Sequence, residues 1–231
     1  MKAPAIERSL SGVIAKSFRE IVGPGSVAGL LGLIVIFIYH RTALLQNLAT
    51  SLQGMGVVGA IVTAFISQIV FCALLPAVGY LMSAQQRPKR LWLVTIANGV
   101  WFGLLGVLCL GFYVIQERLF GVGNEVTTII FKTLFDQLVF NPLVLAPLHA
   151  SFFFWEARDF SWSRTQLEWP SSFIRSLVLP NLLANYLFAI PIVVSMYTLP
   201  LAMRVPFMGV VASCWSLICL RLGNNCRTKH Y

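Results

Sequence analysis

Charge is scarce in this sequence: 17 Lys and Arg and 8 Asp and Glu stand among 231 residues, 11% charged against 58% hydrophobic. From Thr42 to Gln86 there is no Asp, Glu, Lys, Arg or His. A crossing of the bilayer core takes only about 20 predominantly apolar residues, so this interval holds a full span with a connecting loop. Soluble domains carry about 25% charged residues, and a water-soluble fold is excluded on that ground.

The shortage of acids excludes more. Only Asp136 among them falls near membrane depth, and one carboxylate without a partner makes a poor intramembrane catalytic site. No phosphate-cradling glycine loop ending in Lys-Ser or Lys-Thr, no His-Glu-x-x-His and no serine elbow occurs. The chain is therefore read as a non-enzyme with no catalytic residue and no cofactor. Cysteine adds little: Cys72, Cys109, Cys214 and Cys219 fall inside apolar segments and Cys226 in a basic tail, without the paired spacing of a disulfide framework or zinc site. His40 and His230 lie at expected membrane borders, and His149 stands alone, read as a hydrogen-bonded structural residue. No metal site is expected.

What the sequence does hold is six hydrophobic segments, at roughly 21 to 39, 56 to 83, 91 to 116, 133 to 155, 172 to 202 and 205 to 220. All are read as helices, because lipid forbids open strand edges. Four to six of them cross, since the first and last are short. The fifth contains Arg175, Pro180, Pro191 and Pro200 and is expected to be broken or kinked. The fold class is thus an all-α integral membrane protein, a small polytopic helical bundle over 21–221, with an amphipathic interfacial helix at 1–20 and a basic tail at 222–231. In the N-terminal stretch Ile6, Leu10, Val13, Ile14 and Phe18 recur at helical spacing among Arg8, Lys16 and Arg19. Glu7 and Glu20 argue against a mitochondrial presequence, and the late first apolar run without a small-residue cleavage site argues against a secretory signal, so uncleaved internal targeting is expected.

Basic residues set the topology. If all six segments cross, one side receives Lys2, Arg8, Lys16, Arg19, Arg87, Lys89, Arg90, Arg158, Arg164, Arg175, Arg221, Arg227 and Lys229, and the other only Arg41, Arg118, Lys132 and Arg204. The formal charge of +9 reads as topology and attraction to anionic lipid headgroups, with no nucleic acid implied. Trp92, Trp155, Trp162 and Trp169 cluster near predicted borders as an interfacial belt.

Against this background "FKTLFDQLVFNPL", Phe131 to Leu143, stands out. Lys132 and Asp136 are four apart and adjacent on one helix face, where an ion pair lowers the cost of either. Gln137 is placed to hydrogen-bond another helix, Asn141 continues the polar line, and Pro142 bends or interrupts the segment. The cluster reads as a polar clamp between helices first and a path lining second. Other polar residues at depth are few: Thr63, Ser67, Gln68, Asn98, Asn181 and Asn185. No single helix carries a full-depth polar stripe, so a pore would be narrow, assembled from several helices, or formed between subunits. Gly99, Gly103 and Gly106 recur at four and three residues, and Gly25 and Gly29 at four, giving smooth faces for close helix packing within the chain.

Three blocks resemble the Mpv-seventeen and 22-kilodalton peroxisomal membrane protein family. They are "GVLCLGFYVIQERLFG" (Gly106 to Gly121, with Tyr113), "KTLFDQLVFNP" (Lys132 to Pro142), and the pair "LPNLLANYLFAIP" and "LPLAMRVPFMGVVASCW", with Asn185, Pro191, Arg204 and Trp215 as signature positions. The departures are a Thr63-Ala64 where the family has Gly-Asp, Leu179 for a tryptophan, an insertion around "IVVSMYTLP", and an added N-terminal hydrophobic helix before the usual four-span body, with a broken C-terminal helix pair. The chain is identified as resembling a divergent member. The resemblance implies an organellar membrane, the mitochondrial inner membrane first and the peroxisomal or plastid membrane as alternatives. It implies a weakly selective channel for small solutes. The departures suit a second reading, a non-catalytic accessory subunit of a large respiratory or other bioenergetic membrane complex.

Overall fold

In a bilayer every backbone N–H must find its acceptor within its own segment, and every regular element among the described residues is helical. The computed structural model describes residues 26–27, 29–82, 88–171, 173–174 and 178–221, with backbone only at 180–181, 183–185, 187–188 and 215–221. The interfacial helix expected at 1–20, Gly25, Arg175 and the tail at 222–231 lie outside the described residues, as do the side chains of Asn181, Asn185 and Trp215.

The elements are α1 (Gly29–Arg41), α2 (Ala43–Gly54), α3 (Gly56–Met82), α4 (Leu91–Phe120), α5 (Val126–Glu156), α6 (Trp162–Leu167), α7 (Leu179–Met196) and α8 (Leu201–Arg221). Three of them, α3, α4 and α5, are long and apolar enough to cross a membrane, and α1 with α2 adds a fourth if that pair, bent by 87°, counts as one span. With 27, 30 and 31 residues the long helices exceed the roughly 30 Å hydrocarbon core, so their ends reach the headgroups or the helices tilt. Their outer faces carry bare Val, Leu, Ile and Phe such as Ile96, Leu104, Phe131 and Leu138. In lipid such faces need no further cover.

The stretch after His40, expected as a loop, is helical. Thr42 leaves helical geometry at φ −120 and ψ 112 and makes the elbow. The Gln46 amide donates to the carbonyls of Tyr39 and His40 at 3.4 and 3.2 Å, satisfying acceptors that the end of α1 leaves open. Leu44, Leu45, Leu48 and Leu52 set against Gln46, Asn47, Thr50 and Ser51 were the legible sign of a helix lying across the elbow.

Two further expectations are corrected. The fourth segment begins earlier than 133: α5 starts at Val126, so Lys132 lies in its second turn, inside the helix. The segment at 172 to 202 is broken, as its prolines led one to expect, at Tyr197 to Pro200, where the Leu199 N–H closes on the Met196 carbonyl at 2.9 Å, while Pro191 sits inside continuous α7. Membrane helices tolerate an internal proline when neighbouring groups take up the freed backbone acceptor. Pro200 then stands before α8, which starts at Leu201 rather than 205.

The glycine face of α4 lies against α3. A Cβ at Gly103 would come within 2.7 Å of the Phe65 ring, and one at Gly106 within 2.6 Å of Gln68 Cγ and 2.8 Å of the Ala64 carbonyl oxygen. A backbone oxygen has little room to yield. Gly106→Ala is therefore expected to cost about 1–2 kcal/mol of stability, whereas Gly111→Ala, with nothing within 4 Å, should be neutral or slightly stabilising. Thermal unfolding of the two variants in one detergent separates these outcomes. Gly29 and Gly32 face Ile192, Phe207 and Val211, so α1 is part of the bundle and packs on α7 and α8.

The elbow after α1 and the turns after α4 and α7 meet at one end. Asn124 donates to the Thr198 carbonyl at 3.3 Å, and His40 Nε2 lies 3.2 Å from Thr198 Oγ1. The ends of α1, α4 and α7 therefore face the same way.

Candidate functional site

Just inside that end, α4, α5, α7 and α8 bring their polar side chains together. Gln116 and Glu117 come from the last turns of α4, Lys132, Asp136, Gln137 and Asn141 from α5, Tyr186 from the middle of α7 and Tyr197 from the turn after it, and Arg204 from the first turn of α8. Gln116, Lys132 and Tyr197 are completely buried, and Asp136, Gln137, Asn141 and Arg204 nearly so.

Tyr197 is the hub. Its hydroxyl lies 2.6 Å from Gln116 Oε1 and 2.8 Å from Asp136 Oδ2, so its one proton is shared between two acceptors. Gln116 in turn donates from Nε2 to the Lys132 carbonyl at 2.9 Å. Gln137 Nε2 donates to Asp136 Oδ1 at 3.3 Å, and Asn141 donates to Gln137 Oε1 at 3.2 Å. Below the hub, Tyr113 packs edge-on against Tyr197 with ring centroids 6.0 Å apart. Above it, Arg204 lies 5.3 Å from the Tyr197 ring centroid, donates from Nε to the Leu199 carbonyl at 3.1 Å, and pairs with Glu117 at 3.1 Å.

The backbone of α5 explains part of this arrangement. Residues Asp136–Leu145 wind as a π-helix, in which each N–H reaches the carbonyl five residues back. Pro142 has no N–H, and five back from it is Gln137. The Tyr186 hydroxyl donates to the Gln137 carbonyl at 2.6 Å and supplies the missing donor. Gln137 thus reaches another helix through its backbone, while its side chain stays on its own helix, contrary to the expected role.

The expected Lys132–Asp136 ion pair does not form. Among the described residues the ion pairs are Arg158–Glu168, Arg164–Asp159 and Arg204–Glu117. Lys preceding an acid by four residues is the less favourable order, and helical side chains lean toward the N-terminus, which carries the Lys132 ammonium away from Asp136. The charged groups acting on that ammonium are Arg204 and Glu117, and Nζ makes no hydrogen bond.

Polar residues elsewhere at depth serve packing. Gln68 donates to the Val205 carbonyl at 2.8 Å and ties α3 to α8, with Ser213 bonded to the Phe71 carbonyl beside it. Ser67 and Asn98 donate to their own helices, at the Ala64 and Val94 carbonyls. His149 is half-buried, its ring against Phe102 and Phe153. Among the described residues no three His, Cys, Asp or Glu side chains come together as a metal site.

Sequence reasoning singled out Lys132, Asp136, Gln137, Asn141, Tyr113 and Arg204, and the structure brings all six to one place. It missed Gln116, Glu117, Tyr186 and Tyr197. Glu117 was signalled by a charge inside an apolar run, and Gln116 sits three residues after Tyr113, on the same helix face. Tyr197 carried no such sign, because an aromatic at a turn reads equally well as a membrane anchor. No family model, curated protein or solved structure matches this chain.

Proposed function

We propose that this chain is a divergent member of the Mpv-seventeen and 22-kilodalton peroxisomal membrane protein family, and that it forms a narrow, closable path for small solutes across an organellar membrane. The observation that carries this reading is the polar column from Glu117 to Asn141, which no single helix supplies and which four helices assemble. Along α5 alone it runs from Lys132 to Asn141, about 12 Å of the roughly 30 Å core. Residues from the three blocks that carry the resemblance, Tyr113, Asp136 with Gln137, and Arg204, meet around Tyr197, which supports reading the blocks as parts of one site. If all six hydrophobic segments cross, Arg41, Arg118, Lys132 and Arg204 lie toward the less basic side; placement in the mitochondrial inner membrane rests on the resemblance alone.

The path is closed in this arrangement. Gln116, Tyr197, Asp136, Gln137 and Asn141 form one hydrogen-bonded chain of side chains, and Tyr197 bridges α4 and α5 across the axis. Opening requires Tyr197 to leave Gln116 or Asp136, and the proline-bearing π-turns of α5 supply backbone that adjusts without breaking a regular α-helix. Purified protein in planar bilayers tests this. Asp136→Asn, equal in size but uncharged, is expected to lower cation conductance relative to wild type; identical traces from the two proteins would remove Asp136 from any path.

The accessory-subunit reading is supported by the elbow of α1 and α2 and the start of α3, which leave Leu44, Val57 and Val58 about three-quarters exposed together. Such a surface suits a neighbouring membrane subunit as well as lipid. Native-size analysis after mild detergent extraction discriminates: a small homo-oligomer is expected for the path, and stoichiometric co-migration with a large bioenergetic complex for the subunit.

A further inference from the structure

Lys132 is the one charged side chain of the column whose donors are all unused. Its side chain is 0% exposed and Nζ has no hydrogen-bond acceptor. Buried donors are satisfied in the large majority of cases, and a buried ammonium without an acceptor is among the costliest exceptions. Nζ bonds none of the acceptors of the column, and these already serve other donors. Both Asp136 oxygens are engaged by Tyr197 and Gln137, the Lys132 carbonyl is taken by Gln116, and the Glu117 carboxylate is held by Arg204.

The local charge points the same way. Arg204, a like charge that is itself 3% exposed, pairs with Glu117, whose neighbour Gln116 holds the Lys132 carbonyl. Glu117 is paired with Arg204, and Asp136 is bonded by Tyr197 and Gln137, so Lys132 is the cation of the column left without a bonded carboxylate. Water would accept from the ammonium but would not offset the repulsion between Lys132 and Arg204. An anionic oxygen does both, because a charge-assisted bond forms in a region of low dielectric. Nor do these two cations serve as topology signals: a residue that sets orientation sits in the headgroup region, where Arg118 is exposed, whereas Lys132 and Arg204 are drawn into the bundle.

We propose that Lys132 and Arg204 form a binding site for a small oxyanion, a phosphate group or a carboxylate, entered from the end where α4 turns into α5. Glu117, its side chain 16% exposed, is the rim of that site, and the exposed turn of Gly121, Val122 and Asn124 lies above it. Glu117 repels bulky polyanions, so the site favours a ligand that presents one or two negative oxygens. Such a ligand is either a free metabolite or inorganic phosphate, or the phosphate of an anionic lipid. The site concerns binding and does not depend on solute passing beyond it.

The test uses the full chain in a neutral detergent at fixed pH and ionic strength, with chloride as reference. Inorganic phosphate or succinate at about 10 mM is expected to raise the unfolding midpoint by about 2–4 °C over chloride. Lys132→Met should abolish the rise while folding at least as well as wild type without ligand, because it removes an unsatisfied donor. That pairing separates lost binding from lost structure. If the rise appears only in vesicles containing phosphatidylglycerol and again vanishes in Lys132→Met, the oxyanion is a lipid headgroup. No rise with either free anion or in anionic vesicles, or an equal rise in Lys132→Met, overturns the site. A rise without conductance leaves the site standing and removes the solute path; conductance without a rise does the reverse.

Discussion

Arg204→Met is expected to lower the unfolding free energy by about 3 kcal/mol, the largest effect of any single substitution in the column. Arg204 is 3% exposed and holds three things together: the Glu117 carboxylate at 3.1 Å, the Leu199 carbonyl at 3.1 Å, and the face of Tyr197. Methionine fills similar volume and replaces none of these bonds. The cost falls at the lower end of the range for broken buried pairs, because Glu117 is 16% exposed and Lys132 still acts on it. Polar contacts between helices in a bilayer average well under 1 kcal/mol, since separated helices find other partners. A loss several times that size would mark Arg204 as the fastening between α8 and the rest of the column. The double variant Glu117→Gln with Arg204→Met should recover part of the loss, and a double-mutant cycle read by unfolding in detergent measures that recovery. Strict additivity would mean that the two side chains do not depend on each other.

Tyr197→Phe is expected to cost about 2 kcal/mol and, under the proposed function, to raise solute leakage. One hydroxyl is removed, but two buried acceptors, Gln116 Oε1 and Asp136 Oδ2, lose the proton they share. The ring keeps its packing against Tyr113 and Arg204, so the loss is confined to the polar bridge across α4, α5 and the end of α7. A Tyr186→Phe variant provides the contrast. It removes one donor from the Gln137 carbonyl in the half-buried middle of α7 and should cost closer to 1 kcal/mol without changing conductance. Equal conductance of Tyr197→Phe and wild type would show that this hydroxyl does not close anything.

Membrane helices were legible in the sequence because their signal is additive. An uncharged run such as Thr42 to Gln86 tells its own story wherever its ends fall. The elbow at Thr42 was not, since it depends on Gln46 folding back onto two carbonyls, a contact that hydropathy cannot express. The Asp136 cluster was visible as charge out of place, yet its pairing was misread. Spacing along a helix names neighbours on one face, and it does not weigh a tyrosine arriving from sixty residues away. The π-helical stretch was foreshadowed only by Pro142, which marks an interruption without saying how the chain resolves it. Pro191 shows the same limit from the other side, being an equally plain proline that leaves its helix unbroken.

Solute release from sealed vesicles bearing the purified full chain is the most direct measurement of the column's role. Vesicles loaded with a small solute and a large dextran should release the first and retain the second, faster with Tyr197→Phe than with the wild-type chain. Vesicles as tight as protein-free ones with both proteins, under conditions where the chain is folded and inserted, would contradict a path through this bundle.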